Sequence, residues 1–324
     1  MDLFYILGML VVIYFSVIIV LLVIADSDIF TFLYSKYGKQ ADQFKGKVIW
    51  ITGASSGIGE AIAKEFAVAG ARIVLSARRK EELERVKHQC LSISTLTDND
   101  ILVIPLDLTD LKSHEPSLRT VVKHFGKLDV LVSNAAQTQV CEFKDIALHV
   151  DRHIFEVNVF SLINMNRIVV NYFLENGAGQ LAVVSSVVAK FPSPLSTTYS
   201  ASKSAIQGYF NSLRMELYGK NIDVTIICPG LTETPMLEKG MTNKPGELAK
   251  ISPPKSVGRM TAERVANLSL ISMANHLSES WIAKFPTIPL LYIYQYFPLI
   301  FDLFMKLAGG KVVEQMKEHQ RRSN

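Results

Sequence analysis

The chain has 324 residues, 49% hydrophobic and 20% charged, with a formal net charge of +4. That length gives room for one or two domains with a full core, and the charge is spread without the basic stripe that would mark a nucleic-acid surface. Three well-separated cysteines, Cys90, Cys141 and Cys228, suggest neither a disulfide framework nor a metal-ligand spacing.

In chain order, the first feature is LFYILGMLVVIYFSVIIVLLVIA, residues 3–25, a run without a charge. It is long enough to cross a hydrocarbon core as a helix. A cleaved signal would have a shorter apolar region, positive charge in front and small residues behind. Only Asp2 precedes this run and bulky residues fill it, so an uncleaved, single-pass membrane anchor with its linker is expected over residues 1–44. Lys36, Lys39, Lys45 and Lys47 follow at some distance, and their pull toward a cytosolic domain is slight. The sequon Asn267-Leu268-Ser269 matters only on the luminal side, and it falls in a helical pattern.

From residue 45 to 285, short β-branched runs alternate with longer amphipathic ones. KVIWIT (47–52), RIVLSA (72–77), ILVIPLD (101–107), LDVLVSNA (128–135), LAVVSS (181–186) and DVTIIC (223–228) read as buried strands. The segments between them have helical periodicity, as in IGEAIAKEFAVAG (58–70). The alternation predicts an α/β fold, a Rossmann-type doubly wound parallel sheet with helices on both faces. Ligands then belong at the carboxyl ends of the strands.

The first strand runs directly into TGASSGIGEAIA (52–63), which sets Gly53, Gly57 and Gly59 between strand and helix. Glycines there let backbone N–H groups approach a phosphate at a helix N-terminus. No Gly-Lys-Ser/Thr ending follows, which argues against an NTPase loop. After the second strand, LSARRKEEL places Arg78 and Arg79 where an acidic residue would bind the ribose of NAD. A guanidinium grips a 2′-phosphate, so the expected cofactor is NADP(H). Asp107 ends the third strand and can also cap the helix that follows.

In TTYSASKSAI (197–206), Tyr199 and Lys203 stand four positions apart on one helix face. A cation beside a phenol favours the phenolate and would lower its pKa. Residues 231–257 form a long loop in which Met236 and Met241 could wall a lid. Then FPTIPLLYIYQYFPLIF (285–301) is apolar and aromatic but broken by Pro286, Pro289 and Pro298. Residues 286–324 are thus expected to dip into one leaflet, to pack on a second copy in a homodimer, or to cover the core.

TGASSGIG, SNAA (133–136), the serine pair 185–186, YSASK (199–203) and PG (229–230), in this order, resemble the short-chain dehydrogenase/reductase superfamily over residues 45 to about 285. LSARRKEELERVKHQCL, PLDLTDLKSHE and LISMANHLSESWIAKFPTIPLLYIYQYFP are similar to its membrane-anchored members, associated with the endoplasmic reticulum and with reduction of steroid, retinoid and xenobiotic carbonyls. The resemblance implies that Asn158, Ser186, Tyr199 and Lys203 are catalytic and that Ser186 and Tyr199 hold the substrate. Ser186 is preferred to Ser185 because it stands thirteen positions before Tyr199. Cofactor contacts are implied for Gly53, Gly57 and Gly59, for Asp107 at the adenine amine, for Asn134, for Pro229, Gly230 and Thr234 near the nicotinamide amide, and for Tyr199 and Lys203. Thr52, Ser55, Ser56, Ile58, Arg78, Arg79, Leu108, Ala135 and Thr232 complete that set. Ala136 stands where the superfamily usually has glycine, and it touches no catalytic group.

The resulting expectation is a membrane-anchored, NADPH-dependent reductase of hydrophobic ketones or aldehydes, with Tyr199 as proton donor. The same site could oxidise a hydroxysteroid or retinol with NAD(P)+. A non-catalytic cofactor-binding scaffold is disfavoured by the intact residue set. The expected partners are a hydrophobic small molecule and the membrane, with no nucleic acid and no metal.

Overall fold

The computed structural model describes residues 3–191, 193–243, 258–310, 313, 314 and 318. Its centre is a parallel sheet of seven strands in the order β3-β2-β1-β4-β5-β6-β7. The strands are β1 Val48–Thr52, β2 Arg72–Ala77, β3 Ile101–Pro105, β4 Val130–Ser133, β5 Gly179–Val184, β6 Ile222–Pro229 and β7 Glu279–Ile282. The first six match the runs predicted from their β-branched residues to within two residues at each end. In the middle of the sheet Trp50 registers between Val74 and Leu131, and all five residues of β1 are buried. Such continuous apolar strands are what a sheet covered on both faces requires.

Helices α3 Gly57–Val68, α4 Lys80–Ser92 and α9 Ala262–Ala274 cover one face, while α5 His114–Phe125, α7 Ser161–Asn176 and α8 Thr197–Glu216 cover the other. Phe66, Leu83, Val86 and Ile271 anchor the first core; Val121, Val169, Phe173, Ile206 and Phe210 anchor the second. Helix α6 Leu148–Phe155 runs into α7 through a π turn, Glu156–Phe160. The sheet order reverses between β1 and β4, so a crevice opens at the carboxyl ends of those strands, the binding position of doubly wound sheets.

Three of the predicted strands end earlier than their apolar runs. β3 stops at Pro105, β4 at Ser133 and β5 at Val184. Asp107, Asn134 and Ser186 therefore sit in the loops just beyond the strands, where side chains are free to face the crevice. The seventh strand, ESWI, was not anticipated. It is short and half polar, and pairing to β6, with Trp281 opposite Cys228, defines it.

Helix α1, Leu3–Ile24, is long and apolar enough to cross a membrane by length and composition, and none of its apolar window is buried. A strap and α2, Ile29–Tyr37, lead from it to the sheet edge. At the other end the apolar run forms two helices, α10 Thr287–Tyr296 and α11 Pro298–Phe304. Its prolines mark helix starts: Pro286 precedes α10, Pro289 lies in its first turn, and Pro298 opens α11. Proline is tolerated there because the first turn's N–H groups have no intrahelical acceptor. The inner side covers the domain through buried Ile288 and Leu291, as one of the three expectations had it.

The sequon lies within a helix of the folded chain. Asn267 lies mid-helix in α9, held by Arg264 at 3.2 Å, and Ser269 is fully buried.

Candidate active site

The glycine turn is built by close approach. Gly53 has φ +66°, and a Cβ there would stand 2.7 Å from the Ala135 Cα. A Cβ on Gly59 would collide with the Gly53 carbonyl and the Asn134 side chain. Neither position admits a side chain, which keeps β1, α3 and the loop after β4 in contact. Thr52 ties the same three pieces: its hydroxyl accepts from the N–H groups of Asn134 (3.1 Å) and Ala135 (3.3 Å). The Asn134 amide donates to the Thr52 and Gly53 carbonyls at 3.1 and 3.2 Å. Asn134 thus shapes the turn from beneath. Ser56 is the extended N-cap of α3 and makes no side-chain capping bond, while Ile58 packs toward the core.

Arg78 and Arg79 are both exposed where β2 meets α4. Arg79 donates to the Ser55 hydroxyl at 3.3 Å, placing a guanidinium against the glycine turn. A cleft of about 450 Å³ opens there, lined in part by Ser56, Gly57, Arg79, Glu233 and Lys239. Arg85, one turn deeper in α4, escaped the sequence reading. It donates to the Ser55 carbonyl at 3.3 Å and to Glu60 at 2.7 Å, so it fastens α4 to the turn. Burial raises the Glu60 carboxyl pKa, but Arg85 and Lys64 outweigh it and hold the group below its ordinary range. No spacing rule pairs residues 25 apart, so the sequence carried no signal for this contact.

Asp107 accepts from the Thr109 N–H (3.0 Å) and hydroxyl (2.8 Å). It closes a tight turn and is not the N-cap of α5, which begins at His114. Burial raises its pKa, yet the Thr109 bonds and the Arg78 charge bring it below the usual value. Arg78 and Asp107 are therefore neighbours across the ends of β2 and β3. Leu108 accepts from the His114 ring at 2.9 Å.

On the other side of the crevice the serine pair separates. The Ser185 hydroxyl donates to the Lys203 carbonyl at 3.2 Å and is structural. The Ser186 hydroxyl donates to the Pro229 carbonyl at 3.3 Å and lies near enough to the Tyr199 phenol to favour its ionised form. Lys203 is buried, with its ammonium 5.7 Å from the Tyr199 ring centroid and donating to the Val184 carbonyl at 2.9 Å. One helix face thus carries both groups, as the four-residue spacing predicts.

The expected lowering of the phenol pKa does not occur in this structure. Burial pushes Tyr199 up to about 12 despite the opposing Ser186 hydrogen bond, and burial pulls Lys203 down to about 8. The ammonium points at a carbonyl oxygen, so desolvation of each charged form prevails over their attraction.

Asn158 lies in the π turn with no exposed surface. It accepts from the Gln137 N–H at 2.8 Å and donates to the Gln137 carbonyl (2.8 Å) and the Ser202 hydroxyl (3.0 Å). Ser202 is adjacent to Lys203, so Asn158 clasps the loop after β4 to the face of α8 that carries Tyr199 and Lys203. Gln137 and Ser202 are further positioning residues that the sequence did not reveal.

The segment after β6 spans the two halves. Gly230 N–H donates to Ile282, Thr232 bonds the Gly230 carbonyl and bridges Met260, and Thr234 lies over Gly57. Two residues on, Met236 Sδ is 4.0 Å from the Tyr199 hydroxyl. Met241 pairs with Gln139, stitching the segment to the loop after β4. Of the expected lid, residues 244–257 lie outside the described residues.

The residues present fit a dinucleotide: a cradle that side chains would fill, a helix N-terminus above it, cations at its rim and a phenol–amine pair opposite. The comparisons agree. The family model for short chain dehydrogenase matches residues 47–245. The Homo sapiens protein named dehydrogenase/reductase SDR family member 7 is 38% identical over 303 residues, 90% of this chain and 87% of that one. Among solved structures, the alcohol dehydrogenase of Thermococcus sibiricus complexed with 5-hydroxy-NADP is 25% identical, with TM-score 0.60 over 70% of this chain and 89% of that one. The 3-ketoacyl-(acyl-carrier-protein) reductase of Brucella melitensis complexed with NADH is 28% identical, with TM-score 0.62 over 71% and 91%. Motif order, sheet order and the convergence of Ser186, Tyr199 and Lys203 therefore have one common explanation: the chain belongs to the short-chain dehydrogenase family, oxidoreductases that use a nicotinamide dinucleotide.

Proposed function

We propose that this protein is a membrane-anchored, NADPH-dependent reductase of hydrophobic ketones or aldehydes. The observation that carries the proposal is the convergence of the Ser186 hydroxyl, the Tyr199 phenol and the buried Lys203 ammonium, with the segment after β6 reaching Tyr199 through Met236 and the glycine turn through Thr234. Gly53, Gly57, Gly59 and the α3 N-terminus would hold the pyrophosphate, Arg78 and Arg79 the 2′-phosphate, and Asp107 the adenine. When bound, the reduced nicotinamide supplies a hydride to the carbonyl carbon.

Tyr199 keeps its proton to about pH 12, so it is held in the form that can donate. As negative charge grows on the substrate oxygen, the phenol hands over that proton as general acid. The Ser186 hydroxyl donates a hydrogen bond to the same oxygen and strengthens it as charge develops. Lys203, titrating near 8, still carries its proton at neutral pH and stabilises the tyrosinate left behind. The same phenol serves as acid in reduction and as base in alcohol oxidation, so the working direction follows the redox state of the cofactor pool. The apolar α1 and the aromatic C-terminal helices support a substrate that partitions into lipid, the class to which steroid, retinoid and aromatic carbonyls belong. Association with the endoplasmic reticulum goes with that substrate class.

Two measurements test this. Tyr199→Phe should lower turnover about 10²–10⁴-fold while NADPH still binds, followed by nicotinamide fluorescence of the detergent-solubilised enzyme. Unchanged turnover would remove Tyr199 from the mechanism. Arg78→Ala with Arg79→Ala should weaken NADPH roughly tenfold to a hundredfold, the loss of charged hydrogen bonds, and leave NADH nearly unaffected. Equal weakening of both cofactors would take the arginines away from the 2′-phosphate.

A further inference from the structure

Helices α10 and α11 have sides of different chemistry. The inner side is aromatic and packed: the Phe191 ring meets Phe301 at 5.3 Å and Tyr294 at 5.9 Å, and Tyr294 meets Phe301 at 5.0 Å. Ile288 and Leu291 are buried against Val187 and Ala283. The outer side is bare. Tyr296, Phe297, Ile300, Leu303 and Phe304 are exposed, and Leu299 reaches 82% exposure. At about 100° per residue, Leu299, Ile300, Leu303 and Phe304 share an arc of about 140°, with Asp302 outside it. Leu307 continues the apolar side at 80% exposure. A contiguous apolar surface of this kind marks an interaction face.

Its position relative to α1 identifies the occupant. Leu22, in the last turn of α1, packs against the cluster of Ile288 and Leu291. Twenty-two residues extend about 33 Å as a helix, enough to cross a core of about 30 Å. The last turn of α1 then meets the membrane surface on the side of the catalytic domain, and the contact through Leu22 holds α10 and α11 at that level. Tyr292 and Tyr296, stacked with centroids 6.3 Å apart, suit a boundary between hydrocarbon and water.

We propose that α10 and α11 form a second membrane element, lying in the leaflet next to the catalytic domain with the Leu299–Leu303 face in the acyl region. The proposal rests on α1 being the anchor. It also defines the approach to the active site. Val187, Val188 and Phe191, which follow the catalytic Ser186, pack on α10 and α11, so the loop carrying the substrate's oxygen contact is seated on the membrane element. A lipid-dissolved carbonyl compound reaches Ser186 from the bilayer surface.

The test uses the full-length chain in phospholipid vesicles with an environment-sensitive fluorophore on a single introduced thiol. Cys90, Cys141 and Cys228 are buried, which directs labelling to the new site. Leu303→Cys is compared with Val12→Cys in α1 and with Lys123→Cys, exposed on α5. The Leu303 and Val12 probes are expected to lose emission to spin-labelled lipid and to resist aqueous iodide, with Lys123 showing the reverse. A Leu303 probe quenched by iodide like Lys123, while Val12 stays lipid-quenched, overturns the membrane element and leaves the anchor standing. Shielding of Leu303 from both quenchers overturns it in favour of a second copy on this face. A Val12 probe that lipid fails to quench overturns the anchor itself.

Discussion

Lys203 is 1% exposed, and its ammonium has a carbonyl oxygen, Val184 O, as acceptor. Burial lowers its pKa from the ordinary 10.5 to about 8. Between those values the unfolded chain holds a proton that the folded chain has lost. The unfolded state binds more protons there, so stability rises as pH climbs from 8 to 10.5. At pH 7 the folded state bears the full penalty of the buried charge, on the order of 3 kcal/mol at the usual conversion. Lys203→Met fills similar volume without the charge, though it leaves the Val184 carbonyl unpaired at a cost of about 1 kcal/mol. The variant should therefore unfold at higher denaturant concentration than the parent at pH 7, with the gap closing and reversing by pH 10.5. Denaturant titrations at pH 7, 9 and 10.5 read this directly, and a pH-independent gap would mean the ammonium is not destabilised by burial. Tyr199 acts the other way, raised by burial to about 12, so its contribution is lost as pH rises through that value. The sequence shows that these two side chains share a helix face. It does not show that each lies in a desolvated slot, which depends on strands β5 and β6 behind them, and the inferred sign of the phenol shift was accordingly reversed.

Among the elements, the joint between α6 and α7 does the most to position the site. A π turn inserts one extra residue into a helix, and such turns recur at functional sites. Here it presents Asn158 inward, where one side chain satisfies both backbone groups of Gln137 and reaches Ser202. Asn158→Ala would leave the half-buried Gln137 N–H and carbonyl without their partner, at a cost of about 1–3 kcal/mol. Its melting temperature should fall further than that of Ser202→Ala, which keeps the Gln137 clasp. Equal losses would show that the contact to α8, and not the loop, is what Asn158 secures. The strands and the glycine turn were readable because burial on both faces demands runs such as VIWIT and IVLSA, and because close backbone approach demands glycine at 53 and 59. Less was readable where long-range partners decide. ESWI becomes a strand through its pairing with β6, the Asn134 amide binds the Thr52 and Gly53 carbonyls, and Arg85 finds Glu60 across two helices. The prolines at 286, 289 and 298 read as breaks, yet only Pro298 separates two helices, since Pro286 and Pro289 fall at the start of α10.

At the scale of the whole molecule, the apolar helix α1 joins the sheet domain through a stitched strap. Asp26 holds Arg264 of α9 by two bonds, at 2.7 and 3.1 Å. Asp28 N–H donates to the Trp281 carbonyl, and the Trp281 N–H returns a bond to the Asp28 carboxylate, each at 2.8 Å. Lys39 and Asn275 exchange a further pair of bonds at 2.8 Å. The strap thus covers the outer edge of β7, a row of backbone groups that would otherwise invite pairing with another chain. Asp28 has a second task as N-cap of α2, accepting from the Thr31 N–H and hydroxyl at 3.0 and 2.7 Å. Asp28→Ala removes the cap and the Trp281 acceptor together, about 2–3 kcal/mol by the usual values for a cap and a buried hydrogen bond. Asp28→Asn keeps an acceptor oxygen and should lose less. In the intact protein, hydrogen exchange over residues 279–283 should accelerate in Asp28→Ala while turnover of the Tyr199 site stays near the parent's, because among the described residues the strap's hydrogen bonds go to α9, Asn275 and β7. Unchanged exchange at β7 would show that the strap follows the edge strand without protecting it. Faster exchange with intact turnover would show that the strap protects the edge strand of the sheet independently of the Tyr199 site.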